Sequence, residues 1–220
     1  MGIGNLNILG YPVFNGNLEE VDWSTDKLIV NTINQYSYCI AHEDLTFEKS
    51  LKASDILLPD GVAIVWAAKW LKGDRIQKIA GADIHEFLLK YLERTGGRCF
   101  YMGSSNDVLE KIKHRAAREY PNVVLKTYSP PYKKVFTPED NTAIINAINA
   151  FAPDVVFVGM TAPKQEKWVY QNEQFLDKGI ICSIGAVFDF YAGTVQRPNK
   201  VWQNLGLEWL GRLLKEPRRM

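Results

Sequence analysis

Short apolar runs alternate along the chain with longer segments in which apolar residues recur at helical spacing. The short runs are rich in Ile, Val, Leu and Phe and show little alternation, which is typical of strands covered by helices on both faces. The predicted strands are residues 6–9, 27–31, 56–58, 98–102, 123–127, 155–158 and 180–184. The predicted helices are residues 37–51, 62–71, 84–94, 106–119, 138–151 and 164–177.

Capping residues mark several of these helices. Asp83 is predicted to cap the third helix, which Gly96 and Gly97 end, and Thr137 and Pro138 begin the fifth. Repeated alternation of strand and helix predicts an α/β fold with a doubly wound, mostly parallel, Rossmann-like sheet. We expect residues 1–198 to form the catalytic domain and residues 199–220 a C-terminal, helical, amphipathic and basic appendage.

In a sheet of this kind, ligands bind beyond the carboxyl ends of the strands. The turns at that edge are predicted at residues 31–35, 59–61, 103–107, 159–165 and 185–193. A proline-rich, basic loop at residues 128–137 is predicted to form a mobile flap.

Asp60 directly follows a buried strand and so belongs at this edge. Its carboxylate could remove a proton from an attacking hydroxyl, or it could cap the helix that begins at Val62. Thr32 and Asn34 follow another strand and offer uncharged hydrogen bonds to sugar hydroxyls or a uracil edge. They could equally satisfy backbone groups of a turn, and both alternatives stay open.

Two glycine-containing turns are further candidates. Gly103 begins a turn into a helix, where small residues and free N–H groups suit a diphosphate, although capping by Ser or Asn explains the turn as well. The turn at residues 185–193 holds a second carboxylate, Asp189, between Phe188 and Phe190. The two phenylalanines are expected to pack in the core.

The segment at residues 159–168 (GMTAPKQEKW) leaves an apolar strand and turns into a helix. Gly159 permits close approach of the backbone, and Lys164 and Gln165 lie where they can meet a phosphate or a base. A lysine at the start of a helix opposes the helix dipole, which indicates an anionic partner.

Composition and charge narrow the classes of function. The 220 residues carry a net charge of +1, with 46% hydrophobic and 23% charged residues, so nothing indicates a nucleic-acid partner. The three cysteines, Cys39, Cys99 and Cys182, lie apart beside apolar residues and are predicted to be buried thiols in a reducing compartment. We see no signal peptide and no apolar run long enough to span a membrane, and we expect no cofactor and no metal.

The last 21 residues differ from this average, with basic residues in excess of acidic ones. Trp202 and Trp209 lie on one helical face, followed by Arg212, Lys215, Arg218 and Arg219. The face is either part of the core or a surface that binds a membrane or a diphosphate.

Taken in order and spacing, the motifs of this chain resemble those of the WecG/TagA/CpsF glycosyltransferases, bacterial enzymes of cell-surface polysaccharide and teichoic acid assembly. The motifs that carry the resemblance are Thr32-Ile33-Asn34, Pro59-Asp60-Gly61, Gly81-Ala82-Asp83, Tyr101-Met102-Gly103, Gly159, Ala162-Pro163-Lys164-Gln165-Glu166, Trp168, Gly185-Ala186, Phe188-Asp189-Phe190, Ala192-Gly193, Arg197-Pro198, Gly206-Leu207-Glu208-Trp209 and Glu216-Pro217-Arg218.

The resemblance implies inverting, metal-independent transfer of a sugar from a UDP-sugar to a polyprenyl-diphosphate-linked sugar. It implies that Asp60 is the general base, that Thr32 and Asn34 shape the pocket around it, and that Gln165 contacts the nucleotide. The other residues it places on the substrate-binding side are Gly103, Gly159, Lys164, Glu166, Asp189 and Arg197, together with Arg212, Arg218 and Arg219 of the appendage.

The appendage would close over the diphosphate and meet the inner face of the membrane, so we expect a cytoplasmic, peripherally associated enzyme. Members of the family commonly continue in a longer basic tail than this chain has.

Two other functions compete with glycosyl transfer. One is an NAD(P)-dependent sugar-nucleotide oxidoreductase or epimerase, against which the absence of a G-x-G-x-x-G motif counts. The other is a non-catalytic regulator that binds nucleotide sugars. The sequence leaves open the transferred sugar, the acceptor sugar, and whether the protein is a monomer or a homo-oligomer.

Overall fold

The computed structural model describes residues 4–25 and 27–195. These residues form one eight-stranded sheet in the order β1-β2-β4-β3-β8-β7-β5-β6. The strands are β1 (Asn5–Ile8), β2 (Tyr11–Phe14), β3 (Lys27–Ile33), β4 (Ile56–Pro59), β5 (Arg98–Gly103), β6 (Val124–Tyr128), β7 (Val155–Gly159) and β8 (Gly179–Ser183). The first pair is antiparallel and the other pairs are parallel, which confirms the predicted mostly parallel α/β sheet.

Helices cover both faces of this sheet. They are α1 (Gln35–Glu43), α2 (Leu45–Lys52), α3 (Val62–Lys72), α4 (Gly81–Thr95), α5 (Asn106–Glu119), α6 (Pro138–Phe151), α7 (Lys164–Asn172) and α8 (Val187–Ala192). Side chains of α4, α5 and α8 share a core with one face, and those of α2, α3, α6 and α7 pack on the other. Every residue of β7 and β8 is buried, which explains why their sequences do not alternate.

The single helix predicted at residues 37–51 is wrong, because Asp44 divides it into α1 and α2. The Asp44 carboxylate accepts hydrogen bonds from the N–H groups of Thr46 and Phe47, which caps α2. Its other oxygen lies 2.7 Å from Lys167 Nζ on α7, and this lysine is the largest cause of the lowered pKa of Asp44. Helix α1 therefore ends and α2 begins at Asp44, whose carboxylate caps α2 and is fixed by a lysine of α7.

Other boundaries also differ from the prediction. Asp83 does accept a hydrogen bond at a helix start, from the Ala80 N–H at 2.8 Å, but α4 begins at Gly81 and so includes Asp83. The helix predicted at residues 164–177 ends at Asn172 and continues as the 3₁₀ turn Glu173–Phe175. Strand β2 and helix α8 were not predicted, since each is short and neither has a complete periodic pattern.

One further expectation needs correction. Cys99 and Cys182 are buried, but Cys39 is exposed on α1. The loop predicted to be a mobile flap contacts the rest of the protein at several points, while residues 131–135 are exposed. Lys133 pairs with Asp140 at 2.8 Å, Ser129 Oγ donates to the Ser104 carbonyl at 2.7 Å, and Phe136 is buried.

Candidate active site

The strand order places the expected ligand crevice between the carboxyl ends of β3 and β8, which are neighbours. After β3 the chain turns through α1 and α2 towards β4, whereas after β8 it turns into α8, which packs against α5 on the opposite face. Connections that leave adjacent strands in opposite directions open a crevice, where α/β proteins bind their ligands. Asn34 and Asp60 lie on one side of this crevice, and Gly185 and Gln165 on the other.

Asp60 extends the end of β4 by one residue and is half-buried. Its N–H donates to the Ile33 carbonyl at 2.9 Å, which holds the residue against the end of β3. The N-cap of α3 is Gly61, and no side chain caps this helix. The N-cap position that the sequence offered to Asp60 is therefore taken by Gly61, and Asp60 lies one residue before it at the carboxyl end of β4.

Gly61 makes the turn from β4 into α3 possible. Its φ of +125° lies in a region that residues with a side chain avoid, and a Cβ there would come within 3.0 Å of Gln35 Oε1. The same Cβ would lie 3.4 Å from Asn34 Cβ, so the turns after β3 and β4 touch. Asp60 and Asn34 are thereby brought to one place, as predicted from the parallel sheet.

Asn34 hydrogen-bonds backbone groups of its own turn, which is one of the two roles that the sequence predicted for it. Its Oδ1 accepts the Ser37 N–H at 2.9 Å, and Ser37 Oγ accepts the Asn34 N–H at 2.8 Å. These two hydrogen bonds form a capping box at the start of α1. Thr32 is half-buried in β3, opposite Leu58 of β4.

A segment after α3 crosses the end of β3 and places a cation that sequence reasoning missed. The Ile79 N–H donates to the Pro59 carbonyl at 3.0 Å, which fixes the segment at the end of β4. Two residues later, Gly81 packs on the end of β8, where a Cβ would lie 3.3 Å from Val187. Lys78 directly precedes Ile79 and is half-buried, so it lies at the same edge as Asp60. The stretch has no periodicity that could have revealed this.

Gly103 and Gly159 are paired in register at the ends of β5 and β7. A Cβ at Gly103 would lie 2.3 Å from the Gly159 carbonyl oxygen, and one at Gly159 would lie 2.4 Å from the Phe188 ring. The groups that come close to these two glycines are thus other parts of the protein, namely the Gly159 backbone and the Phe188 ring. Both positions need glycine for packing at the crevice wall.

Gln165 and Glu166 lie at the start of α7 and are both buried. Gln165 Oε1 accepts the Met160 N–H at 3.2 Å, and Gln165 Nε2 donates to Glu166 Oε1 at 2.8 Å. A Cβ at Gly185 would lie 3.4 Å from Gln165 Oε1, so this carboxamide joins the turns after β7 and β8.

Glu166 is a carboxylic acid inside the protein. Burial raises the pKa of Glu166 to about 7, against the lowering effect of the Gln165 hydrogen bond. Its Oε2 has no hydrogen-bond partner among the described residues. An ionised carboxylate in such a place is destabilised, so the protonated form persists close to neutral pH.

Lys164 contacts the proline-rich loop. Its Nζ donates to the Lys133 carbonyl and lies 3.8 Å from the centre of the Phe136 ring. Burial lowers the pKa of Lys164. The lysine predicted to meet an anion thus fastens the loop at residues 129–137 beside the end of β7.

The turn after Gly103 is explained by capping. Ser105 is the N-cap of α5, and its Oγ accepts the Val108 N–H at 3.4 Å. On α8, Phe188 is in the core as predicted, 5.2 Å from the Tyr101 ring, whereas Phe190 is only half-buried. Asp189 is half-buried near the crevice, and its Oδ1 accepts the Thr194 hydroxyl at 3.3 Å.

The remaining predicted substrate residues, Arg197, Arg212, Arg218 and Arg219, lie outside the described residues, as does the whole appendage. In the part of the chain that the structure describes, no group of three or more His, Cys, Asp or Glu side chains could hold a metal ion. None of the helices between residues 4 and 195 has the length and apolar character needed to cross a bilayer.

Comparison with known proteins gives this fold its family. A profile described as "Glycosyl transferase WecG/TagA/CpsF family" matches residues 6–220. The chain belongs to this family of glycosyltransferases. The resemblance seen in the sequence is thereby confirmed, and the oxidoreductase and regulator alternatives are set aside.

Two relatives of this chain carry the same name, N-acetylglucosaminyldiphosphoundecaprenol N-acetyl-beta-D-mannosaminyltransferase. The protein from Bacillus subtilis is 31% identical over 192 residues, which cover 87% of this chain and 73% of that protein. The protein from Bacillus spizizenii is 29% identical over 179 residues, which cover 81% of this chain and 68% of that one. Their names describe transfer of a sugar to a lipid-linked sugar diphosphate.

Proposed function

We propose that this glycosyltransferase moves a sugar from a UDP-sugar to a polyprenyl-diphosphate-linked sugar, with inversion and without a metal, at the inner face of the membrane. The position of Asp60 carries the proposal. Asp60 is half-buried directly after β4, its N–H donates to the Ile33 carbonyl at the end of β3, and the segment that carries Lys78 is fixed to the neighbouring Pro59 carbonyl. The names of the two Bacillus relatives support the lipid-linked acceptor and make N-acetylmannosamine the first sugar to test.

In the proposed reaction, Asp60 accepts the proton of the acceptor hydroxyl as that oxygen attacks the anomeric carbon of the donor. The bond between the anomeric carbon and the diphosphate breaks on the opposite side, and UDP leaves with the bonding electrons. A single positioned base contributes about 10²–10⁴-fold to such a step. Thr32 and Asn34 line the acceptor side of the same crevice end.

The charge of the departing UDP needs positive groups or N–H donors, because the proposal includes no metal. Lys78 supplies one cation at the correct edge. Arg197, Arg212, Arg218 and Arg219 are proposed to supply the others. On the nucleotide side, we assign the turn at residues 159–163 as the wall, with Gly103, Gly185 and Asp189 nearby. Gln165 accepts the Met160 N–H of that turn and donates to Glu166, while Lys164 binds the Lys133 carbonyl of the loop beside it.

The test is to replace Asp60 with Asn. Asp60→Asn keeps the size of the side chain but cannot accept the proton, so turnover should fall by about 10²–10⁴-fold. UDP affinity, measured by calorimetry, should stay within about twofold, since the base acts on the acceptor. Transfer is measured with UDP-N-acetylmannosamine and a lipid-linked N-acetylglucosamine, in buffer that contains EDTA.

Asp74→Asn is the matched control, since Asp74 is an exposed aspartate a few residues beyond α3. It should leave turnover unchanged. Unchanged turnover in Asp60→Asn would remove Asp60 as the base. A wild-type protein inactive with every UDP-sugar would contradict the proposed donor, and loss of activity in EDTA would contradict the metal-free mechanism.

A further inference from the structure

Helix α3 is apolar on both its inner and its outer side. Of its 11 residues, only Lys69 and Lys72 are not apolar. Ile64 and Ala68 are buried against the sheet. A helix that is apolar all round normally has its outer side covered as well.

The outer side of α3 carries two large exposed aromatic residues. Trp66 and Trp70 are 46% and 73% exposed, and Leu71 at the end of the helix is 59% exposed. The two indole rings stack with their centres 5.6 Å apart. Neither ring is buried by the described residues, and the stacked pair forms an exposed apolar patch. Such a patch on a soluble protein usually marks an interaction site.

The charged residues of α3 and of the segment that follows it are mostly basic. Between residues 62 and 78 the basic residues are Lys69, Lys72, Arg75 and Lys78, and the only acidic residue is Asp74. Tryptophan beside lysine and arginine fits the headgroup region of a bilayer, where the ring is desolvated and the cations meet anionic lipid.

We propose that the outer face of α3, formed by Trp66, Lys69, Trp70 and Lys72, docks on an anionic membrane surface. The inference rests on the proposed function, because an acceptor that is linked to a lipid would approach the crevice from the membrane on which α3 docks. Helix α3 begins directly after Asp60 and Gly61, and Trp66 lies about 6 Å along the helix axis from Val62, its first residue. Docking would hold the candidate base next to the layer of lipid diphosphates.

Charge also argues against the two other occupants of this face. In a symmetric dimer each face meets its own copy, which would bring the lysines of both copies together with no acidic residue of α3 between them. The C-terminal stretch of the chain is itself basic, with Arg212, Lys215, Arg218 and Arg219 against Glu208 and Glu216. An anionic lipid surface is opposite in charge to the lysines of α3, whereas a second copy of α3 and the C-terminal stretch both carry a net positive charge.

Co-sedimentation of the full-length protein with vesicles tests the proposal. Vesicles of phosphatidylglycerol and phosphatidylcholine should bind the wild type at least 10-fold more tightly than pure phosphatidylcholine does. The double variant Trp66→Ser/Trp70→Ser should lose at least 10-fold of its affinity for the anionic vesicles. The matched control is Phe175→Ser, which removes an aromatic side chain 55% exposed in the turn before β8, and it should bind as the wild type does.

Two measurements distinguish the other occupants. Unchanged vesicle binding by the double variant overturns the proposal, and a lowered melting temperature would then assign the face to the C-terminal stretch. A light-scattering mass that falls from dimer to monomer in the double variant also overturns it, in favour of a second copy.

A water-soluble acceptor with a short prenyl chain separates this inference from the proposed function. With that acceptor and no vesicles, the double variant should keep the wild-type turnover, because neither tryptophan is placed in the reaction. If the wild type binds anionic vesicles through α3 but transfers no sugar, the docking surface stands and the proposed function fails.

Discussion

The Phe188 ring occupies the space in front of Gly159, and this contact determines which side chains position 159 tolerates. The ring is 2% exposed and packs on Tyr101, so it has no free direction in which to move. A glycine at the carboxyl end of a strand is easily interpreted as a phosphate contact. Here the close backbone approach serves packing within the protein.

Gly159→Ala should therefore destabilise the protein by about 1–3 kcal/mol, the usual cost of forcing an extra carbon into a packed core. The added Cβ would lie 2.4 Å from the Phe188 ring. Urea denaturation measures the loss. In the double variant Gly159→Ala/Phe188→Leu the smaller side chain makes room, so the two effects should not add. Full additivity would show that the contact with Phe188 does not decide the cost.

At the scale of elements, α5 holds α8 in place through one arginine. Arg115 Nη1 donates to the Tyr191 carbonyl at 3.0 Å, and its guanidinium lies over the Tyr191 ring at 4.4 Å. The Tyr191 hydroxyl donates to Glu119 at 3.1 Å, and Glu119 also pairs with Arg115. The chain enters α8 through Gly185 and Ala186, so the position of α8 sets the position of the crevice wall.

Arg115→Met keeps the apolar stem but loses the hydrogen bond and the ion pair. We expect a loss of about 1 kcal/mol in stability and a higher KM for the donor, with a smaller effect on kcat, because the wall shifts while Asp60 stays. Thermal melting and steady-state kinetics measure the two effects. Lys113→Met on the same helix removes an exposed lysine and should change neither. An unaltered KM in Arg115→Met would show that the position of α8 does not affect donor binding.

The elements that sequence predicted best are those whose signals are local. Helices α5 and α6 begin and end at the predicted residues, since Thr137 and Pro138 mark one start and apolar spacing marks the rest. The break between α1 and α2 was missed because Asp44 is fixed by Lys167, which lies 123 positions away in the chain. Local periodicity carries no information about such a partner.

The residues of the candidate site also differ in whether the sequence alone could predict their positions. Parallel strands bring their carboxyl ends to one edge, so the shared location of Asp60 and Asn34 followed from the strand pattern. The burial of Glu166 and the placement of Lys78 depend on how α7 and the segment after α3 pack across other strands. Those contacts become visible only once the strand order is known.

For the whole molecule, two buried groups couple stability to pH in opposite directions. His85 is enclosed by aromatic rings, its Nε2 is 2.7 Å from the Tyr101 hydroxyl, and burial lowers its pKa from 6.5 to about 3. Between pH 3 and 6.5 the unfolded chain binds the proton and the folded one does not. The free energy of unfolding therefore falls by about 1.4 kcal/mol per unit as the pH falls through that window.

Glu166 makes the free energy of unfolding depend on pH in the opposite direction. Its pKa is raised from 4.5 to about 7, so the folded chain holds the proton between these values and the unfolded chain does not. The free energy of unfolding falls by about 1.4 kcal/mol per unit as the pH rises through this second window. The two slopes oppose each other between pH 4.5 and 6.5. These two groups together should leave stability nearly flat there.

Glu166→Gln should remove this balance. Without the acid, the free energy of unfolding should rise with pH up to about 6.5, and the decline towards pH 7 should disappear. Urea unfolding at half-unit steps between pH 4.5 and 8 measures the slope, which does not depend on how well the new amide packs. Glu110→Gln on the surface of α5 is the control and should follow the wild type. A curve for Glu166→Gln parallel to the wild type would contradict the assignment.

The unequal burial of the cysteines has a practical consequence. Cys99 and Cys182 lie in the core, and burial raises the pKa of each thiol, so alkylating reagents reach Cys39 first. Cys39 lies on α1 about 7.5 Å along the axis from Asn34 at the crevice. A fluorescent dye attached there needs no engineered site. Energy transfer to it from the indoles of neighbouring α3 would report, in one cuvette, both the filling of the crevice and the approach of a vesicle.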